Sequence, residues 1–223
     1  MELKTVPRML PQINLKGLVV TTDALHTQRK TAKAILDQGA DYFTVVKENQ
    51  PELLEDIALL FTDPPPGERF GISVSRGRHG DRWEERHLLA SAALNEYLDW
   101  PGLGQVCRIE RKVRQKGKER SQVSYAITSL KPDRASPQRL QNLWRGHWGI
   151  ENRLNWVRDV TMGEDASQVR KGSAPQVMAG LRNVALNLLR RAGTHNVAAA
   201  LRRHARYPNE ALALMGYLPN KRE

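Results

Sequence analysis

Residues 18–46 read LVVTTDALHTQRKTAKAILDQGADYFTVV. Leu18, Val19 and Val20 are apolar, and Thr21 and Thr22 extend the β-branched run, so a short buried strand is expected over 17–22. Residues 28–38 place Ala32, Ile35 and Leu36 on one stripe at helical spacing, and Gly39 follows where a helix stops. Residues 41–46, DYFTVV, again favour a strand. Strand, helix and strand in so few residues make a βαβ unit with parallel strands. The expected fold class is therefore α/β. Asp23 stands just past the first strand. Ligands of open α/β sheets collect beyond the carboxyl ends of strands, so Asp23 is placed to hold a hard cation. It also suits a cap on the next helix.

Outward from this unit, Lys47, Glu48, Asn49 and Gln50 cluster after the second strand. Lys47 and Gln50 are candidates for a phosphate contact, and the cluster also fits a polar loop capping the next helix. Pro51 and Glu52 open a helix to about Leu60. Asp63-Pro-Pro-Pro-Gly67 is a hard stop. Residues 69–90 alternate around SRGRHGDR as a hairpin, a short helix is expected near 92–98, and 105–114 and 120–129 form two more strands. Residues 63–135 thus read as a mainly β insertion between the βαβ core of 17–62 and a helical part over 136–216. Residues 108–120 hold seven Lys/Arg against two Glu. Arg111, Lys112 and Arg114 suit sequence-independent phosphate contact, or the protection of an edge hairpin against aggregation. Upstream, residues 1–16 have two prolines and no period, and read as an extended lead-in.

Ser136-Pro137 starts another helix by cap and first-turn proline. It leads into Trp144–Asp165, WRGHWGIENRLNWVRDVTMGED. Trp144, His147, Glu151 and Arg158 stand at i, i+3, i+7 and i+14, offsets that share one face of an α-helix. That face would carry an acid, two cationic groups and an aromatic plate; the alternative is an amphipathic helix with tryptophan in the core. His147 is equally readable as a structural histidine. Asp159, Glu164 and Asp165 read as backbone caps or partners of Arg170 and Lys171, or as support behind a metal site. Residues 175–191 form an amphipathic helix with Val177, Leu181, Val184 and Leu188 on its buried stripe, two short helices are expected over 196–205 and 208–215, and 217–223 is a tail.

The 223 residues carry a net charge of +11 and a pI near 10.1, which favours a polyanionic partner, nucleic acid first. The lone Cys107 excludes internal disulfides and multi-cysteine zinc sites. No apolar run reaches the ~18 residues of a membrane span, and no signal peptide opens the chain, so no membrane association and a cytoplasmic location are expected.

VVTTDALHTQ, DYFTVVKENQPELLEDI and RGHWGIENRLNWVRDVTMGEDASQVRKG together resemble bacterial insertion-sequence transposases of the DDE group related to the H-repeat (Rhs-associated) proteins. The resemblance runs from about Leu15 to about Gly216. The broader class carries a Tyr-x2-Arg-x3-Glu-x6-Lys signature, and the same spacing here reads Trp144-x2-His147-x3-Glu151-x6-Arg158. Asn155 stands where a second histidine is expected, and Met162 where phenylalanine is.

The resemblance implies a ribonuclease H-like core, here an incomplete one: the βαβ unit plus a catalytic helix, within 17–62 and 136–216. It implies three carboxylates holding two divalent ions, Mg2+ or Mn2+. Asp23 matches the second carboxylate and Glu151 the third, both catalytic and metal-binding. Lys47, Gln50, Arg111, Lys112, Arg114, Trp144, His147 and Arg158 are the expected DNA contacts. The partners implied are DNA, as terminal repeats and target, with a homodimer or a full-length transposase as a protein partner. The family's first carboxylate lies in an Asp-Gly-Lys type motif upstream of the second, and before Asp23 this sequence offers only Glu2. The expectation is a truncated transposase catalytic domain, inactive alone. The competing expectation is a non-catalytic DNA-binding remnant that occupies element ends or inhibits a full-length enzyme.

Overall fold

β1 (Val19–Thr22) and β2 (Asp41–Val46) pair in parallel, joined through α1 (Arg29–Asp37). The structure, a computed structural model, describes residues 6, 8–150 and 154–217. Glu151 and the tail from 218 therefore lie outside the described residues. Gly39 ends α1 at φ +67°, a left-handed conformation that costs glycine least. Its N–H and that of Ala40 donate to the carbonyls of Leu36 and Ile35. α2 (Pro51–Thr62) opens on its proline and buries Leu53, Ile57 and Leu60 at helical spacing.

Residues 63–135 supply four long strands: β3 (Gly71–His79), β4 (Arg82–Ser91), β5 (Gln105–Gln115) and β6 (Lys118–Thr128). They pair antiparallel in sequence order. This is the stretch expected to be mainly β. β6 pairs antiparallel with β2, Val46 opposite Tyr125, so all six strands form one sheet in the order β1-β2-β6-β5-β4-β3. Gly104 precedes β5, and a Cβ there would stand 2.5 Å from the Ser129 carbonyl oxygen, so only glycine fits. Residues 92–98 form turns rather than the expected short helix.

The pleat divides the sheet between two cores. On one face Tyr42, Val46, Val106 and Ile127 pack with Ile35 of α1 and Ile57 of α2. On the other, Phe43, Leu88, Cys107, Ile109 and Ala126 pack with Leu140 and Trp144 of α3 (Pro137–Ile150). Cys107 is fully buried in this second core, which pushes its thiol up to about 12. The lead-in is not wholly extended. Leu10–Gln12 forms a 3-10 turn, and Leu10 and Leu15 are buried in the first core.

The chain divides into two compact units, residues 1–147 and 148–223. The boundary falls inside the stretch expected as one segment over 136–216. In the second unit a π-helical segment, Val157–Thr161, precedes α4 (Ala174–Arg191), α5 (Val197–Arg206) and α6 (Pro208–Leu214). Asn196 caps α5, its side-chain oxygen accepting from the Ala199 N–H at 3.0 Å. The small core here is Leu186, Leu189 and Val197, with Leu154, Val157 and Leu201 against it. The expected α4 stripe is corrected: Val177, Leu181 and Val184 are each 57% exposed. The helix turns Leu186 and Leu189 inward instead.

Candidate catalytic site

Asp23 follows β1 directly at its carboxyl end, as the sequence predicts. It is exposed, and it caps the 3-10 turn Ala24–His26 by accepting from the His26 N–H at 3.4 Å. That one long bond leaves most of the carboxylate's lone pairs open to a cation. The backbone at Asp23 stays extended, so its side chain falls on the same face of the sheet as Thr21, two residues before it.

α3 lies against that face. Its Gln141 amide donates to the Arg86 carbonyl oxygen at 3.1 Å, its Trp144 ring meets Phe43 edge-on at 6.4 Å, and His147 Nδ1 stands 3.4 Å from the Thr21 hydroxyl. The helix thus runs from β4 toward β1, with His147 beside the strand that Asp23 follows. Trp144, expected as a plate for DNA, is 7% exposed and serves the core. His147 reaches Thr21, next to the Asp23 end.

The loops at this end are tied by side chains of the polar cluster after β2. Asn49 Nδ2 donates to the Ala24 carbonyl at 2.6 Å, and Gln50 Nε2 donates to that of Thr27 at 2.9 Å. Thr44 bridges the hydroxyls of Thr22 (2.7 Å) and Thr27 (2.5 Å) beneath the turn. Gln50 therefore holds the loop after Asp23, while Lys47 is exposed beside it. A run of consecutive polar residues after a strand end, Lys47 to Gln50, was the available signal, since loops packed against each other must pair their buried carbonyls. His26 Nδ1 is buried without a hydrogen-bond partner among the described residues.

The other expected DNA contacts do not form one patch. Arg111 follows Cys107 and Ile109 in alternation and lies on the α3 face, whereas Lys112 and Arg114 lie on the opposite face. Arg111 pairs with Glu84, and Lys112 with Glu110 at 3.3 Å. Arg158 stands on the π-helical segment, where the α-helical offsets from Trp144 no longer apply. Its guanidinium forks onto Glu164 through bonds of 2.6 and 2.8 Å, a partner expected to bond elsewhere. That hydrogen bond and charge hold the Glu164 carboxyl below the usual range.

Among the described residues, no three His, Cys, Asp or Glu side chains gather as a metal-binding group. No helix among them is long and apolar enough to cross a membrane.

A family model described as "Transposase DDE domain" matches residues 2–188. The chain belongs to the DDE transposase family. It is 33% identical over 207 residues to "Putative transposase YncI" of Escherichia coli O157:H7, covering 85% of this chain and 50% of that protein. It is 30% identical over 200 residues to "H repeat-associated putative transposase YhhI" of Escherichia coli strain K12, covering 84% of this chain and 51% of the relative. "Putative protein YbfL" of the same strain is 31% identical over 200 residues, with 84% and 51% covered. This transposase chain spans about half the length of the curated relatives it matches. No solved structure matches it significantly. The expected family is therefore the family found, and its α/β sheet with flanking helices agrees with a DDE domain. Transposases of this family are generally metal-dependent and act on DNA.

Proposed function

We propose that this chain carries part of the catalytic centre of an insertion-sequence transposase, with a ribonuclease H-like core and with Asp23 and Glu151 as two of its three metal-holding carboxylates. The observation that carries the reading is the position of Asp23. It sits open at the carboxyl end of β1, on the sheet face that α3 crosses through His147 and Thr21, and the sequence of α3 leads directly into Glu151. A strand-end Asp and a helix-borne Glu offer the oxygen ligands that Mg2+ or Mn2+ prefers. Two such ions, when bound, stabilise both the attacking and the leaving oxygen of an in-line phosphoryl displacement.

Water attacks the phosphorus at the element end first. A P–O bond to water forms, the P–O3′ bond breaks, and the element end is left with a free 3′-hydroxyl. That hydroxyl then attacks a target phosphodiester, whose own 3′-oxygen leaves with a proton. The chain's part is to hold Asp23 in place through the Asn49 and Gln50 ties. Lys47, exposed at the same end, meets the backbone of the DNA. The family's first carboxylate is the one this reading assigns to no residue of the 223.

The test incubates purified chain, Mg2+ or Mn2+ and a linear duplex bearing the element's ends, with and without the amino-terminal part of a full-length relative. Cleavage only with the added part, lost on Asp23→Asn or Glu151→Gln, is the expected result. Cleavage by the chain alone that survives both substitutions overturns the assignment. DNA binding with no cleavage under any condition favours a non-catalytic role at element ends.

A further inference from the structure

The four-stranded ladder β3–β6 runs well past the carboxyl ends of β1 and β2. Val46, the last residue of β2, is opposite Tyr125, yet β6 begins at Lys118. The overhang of seven residues is about 23 Å long at ~3.3 Å per residue. It projects from the same end of the sheet as Asp23.

Its α3 face carries a cluster that the Asp23 site does not use. Arg86 and Arg111 are directly opposite each other on β4 and β5. Both bond the Glu84 carboxylate, Arg86 at 2.8 Å, and Arg82 stands 4.0 Å from the same group. Glu84 is the most covered of the four, with 15% of its side chain exposed against 41% for Arg82. Arg86 is nearly as covered, at 18%, while Arg111 and Arg82 are more open. Arg145 adds a further charge from α3, one turn beyond the Gln141 that bonds the Arg86 carbonyl. Burial lowers the Arg86 guanidinium, Glu84 pushes the other way, and the charges of Arg145, Arg111 and Arg82 add to the lowering. One carboxylate among four arginines leaves about three positive charges facing the same way. Guanidiniums stay protonated, so the excess is not relieved by titration. A polyanion relieves it.

Resting on the transposition reading, we propose that this face is a phosphate track for duplex DNA, with Arg86, Arg111 and Arg145 contacting one backbone and Glu84 fixing the first two. Arg111 is three strands and about four residues from the level of Asp23, or roughly 19 Å. At ~3.4 Å per nucleotide along a strand, the track meets the backbone about five to six nucleotides from the scissile phosphate. Lys112 and Arg114 face away from this path.

Fluorescence anisotropy with a labelled duplex, measured across a salt series on the full chain, tests the track. Arg86→Gln/Arg111→Gln is expected to weaken binding at least tenfold and to flatten the log–log salt slope by about 2, one unit per lost phosphate contact. Lys112→Ala/Arg114→Ala is expected to change affinity less than threefold. Arg145→Gln, on an exposed helical surface, leaves the Glu84 cluster intact and is expected to weaken binding about threefold, which keeps the test valid if the double variant does not fold. Parent chain that binds no DNA sinks the transposition reading and the track with it. Parent that binds, with Arg145→Gln unchanged or the Lys112/Arg114 variant weaker than the Arg86/Arg111 one, sinks the track alone. Equal affinity for duplex RNA of the same length also overturns it as a DNA site.

Discussion

His147 Nδ1 lies 3.4 Å from the Thr21 hydroxyl, across 126 positions of sequence. This contact joins α3 to the strand that Asp23 follows. Thr21→Val keeps the β-branched shape and removes the polar partner. A loss of about 0.5–1.5 kcal/mol in urea unfolding is expected. Adding His147→Ala should cost less than the sum of the two single changes. Strict additivity in the double-mutant cycle would show that the contact contributes nothing.

The ties from Asn49 and Gln50 hold the turn after Asp23. Asn49→Ala leaves the Ala24 carbonyl without its 2.6 Å donor. Hydrogen exchange over residues 24–28 should quicken, while the β5–β6 ladder keeps its protection. Uniform quickening of both regions would mean that global stability, not this loop, had changed.

Arg158 and Glu164 form a bidentate pair. The folded-state carboxyl of Glu164 is depressed, first by its hydrogen bond to Arg158. Its contribution is thus present above the ordinary carboxylate range and is lost as pH falls through and below it. Glu164→Gln should lower the thermal midpoint slightly at pH 7 and not at pH 3. The partly exposed pair makes the effect small. An equal drop at both pH values would point to lost packing instead.

β1 lies at one end of the strand order, its four residues only partly covered. An unpaired edge invites pairing with another chain. Val19→Lys should reduce self-association in sedimentation velocity. Association unchanged by the lysine would place the contact elsewhere.

The βαβ unit was legible because its signals are local: β-branched runs, one apolar stripe and a glycine stop. The strand-end position of Asp23 was legible for the same reason. The joining of β6 to β2 was not, because register between distant strands leaves no local pattern. Arg111, Lys112 and Arg114 were grouped by adjacency, yet the pleat alternates them between faces, a period that strand residues obey whatever their charge. The α4 stripe failed differently. Val177, Leu181 and Val184 have the spacing of a buried face, but spacing says only that residues share a side, not that another element covers it. Trp144 had two fair readings, and packing against Phe43 chose the core.

The bond from the Thr128 hydroxyl to the Tyr42 carbonyl closes a gap of 86 positions. The hairpins β3–β4 and β5–β6 close over a few residues each, so they can zip early, whereas β2 waits for β6 across a long loop with a larger entropic cost. During synthesis from the amino terminus, β2 emerges long before its antiparallel partner. Its open flank is then the aggregation-sensitive surface of the nascent chain, and the last hairpin to leave the ribosome is the one that shields it.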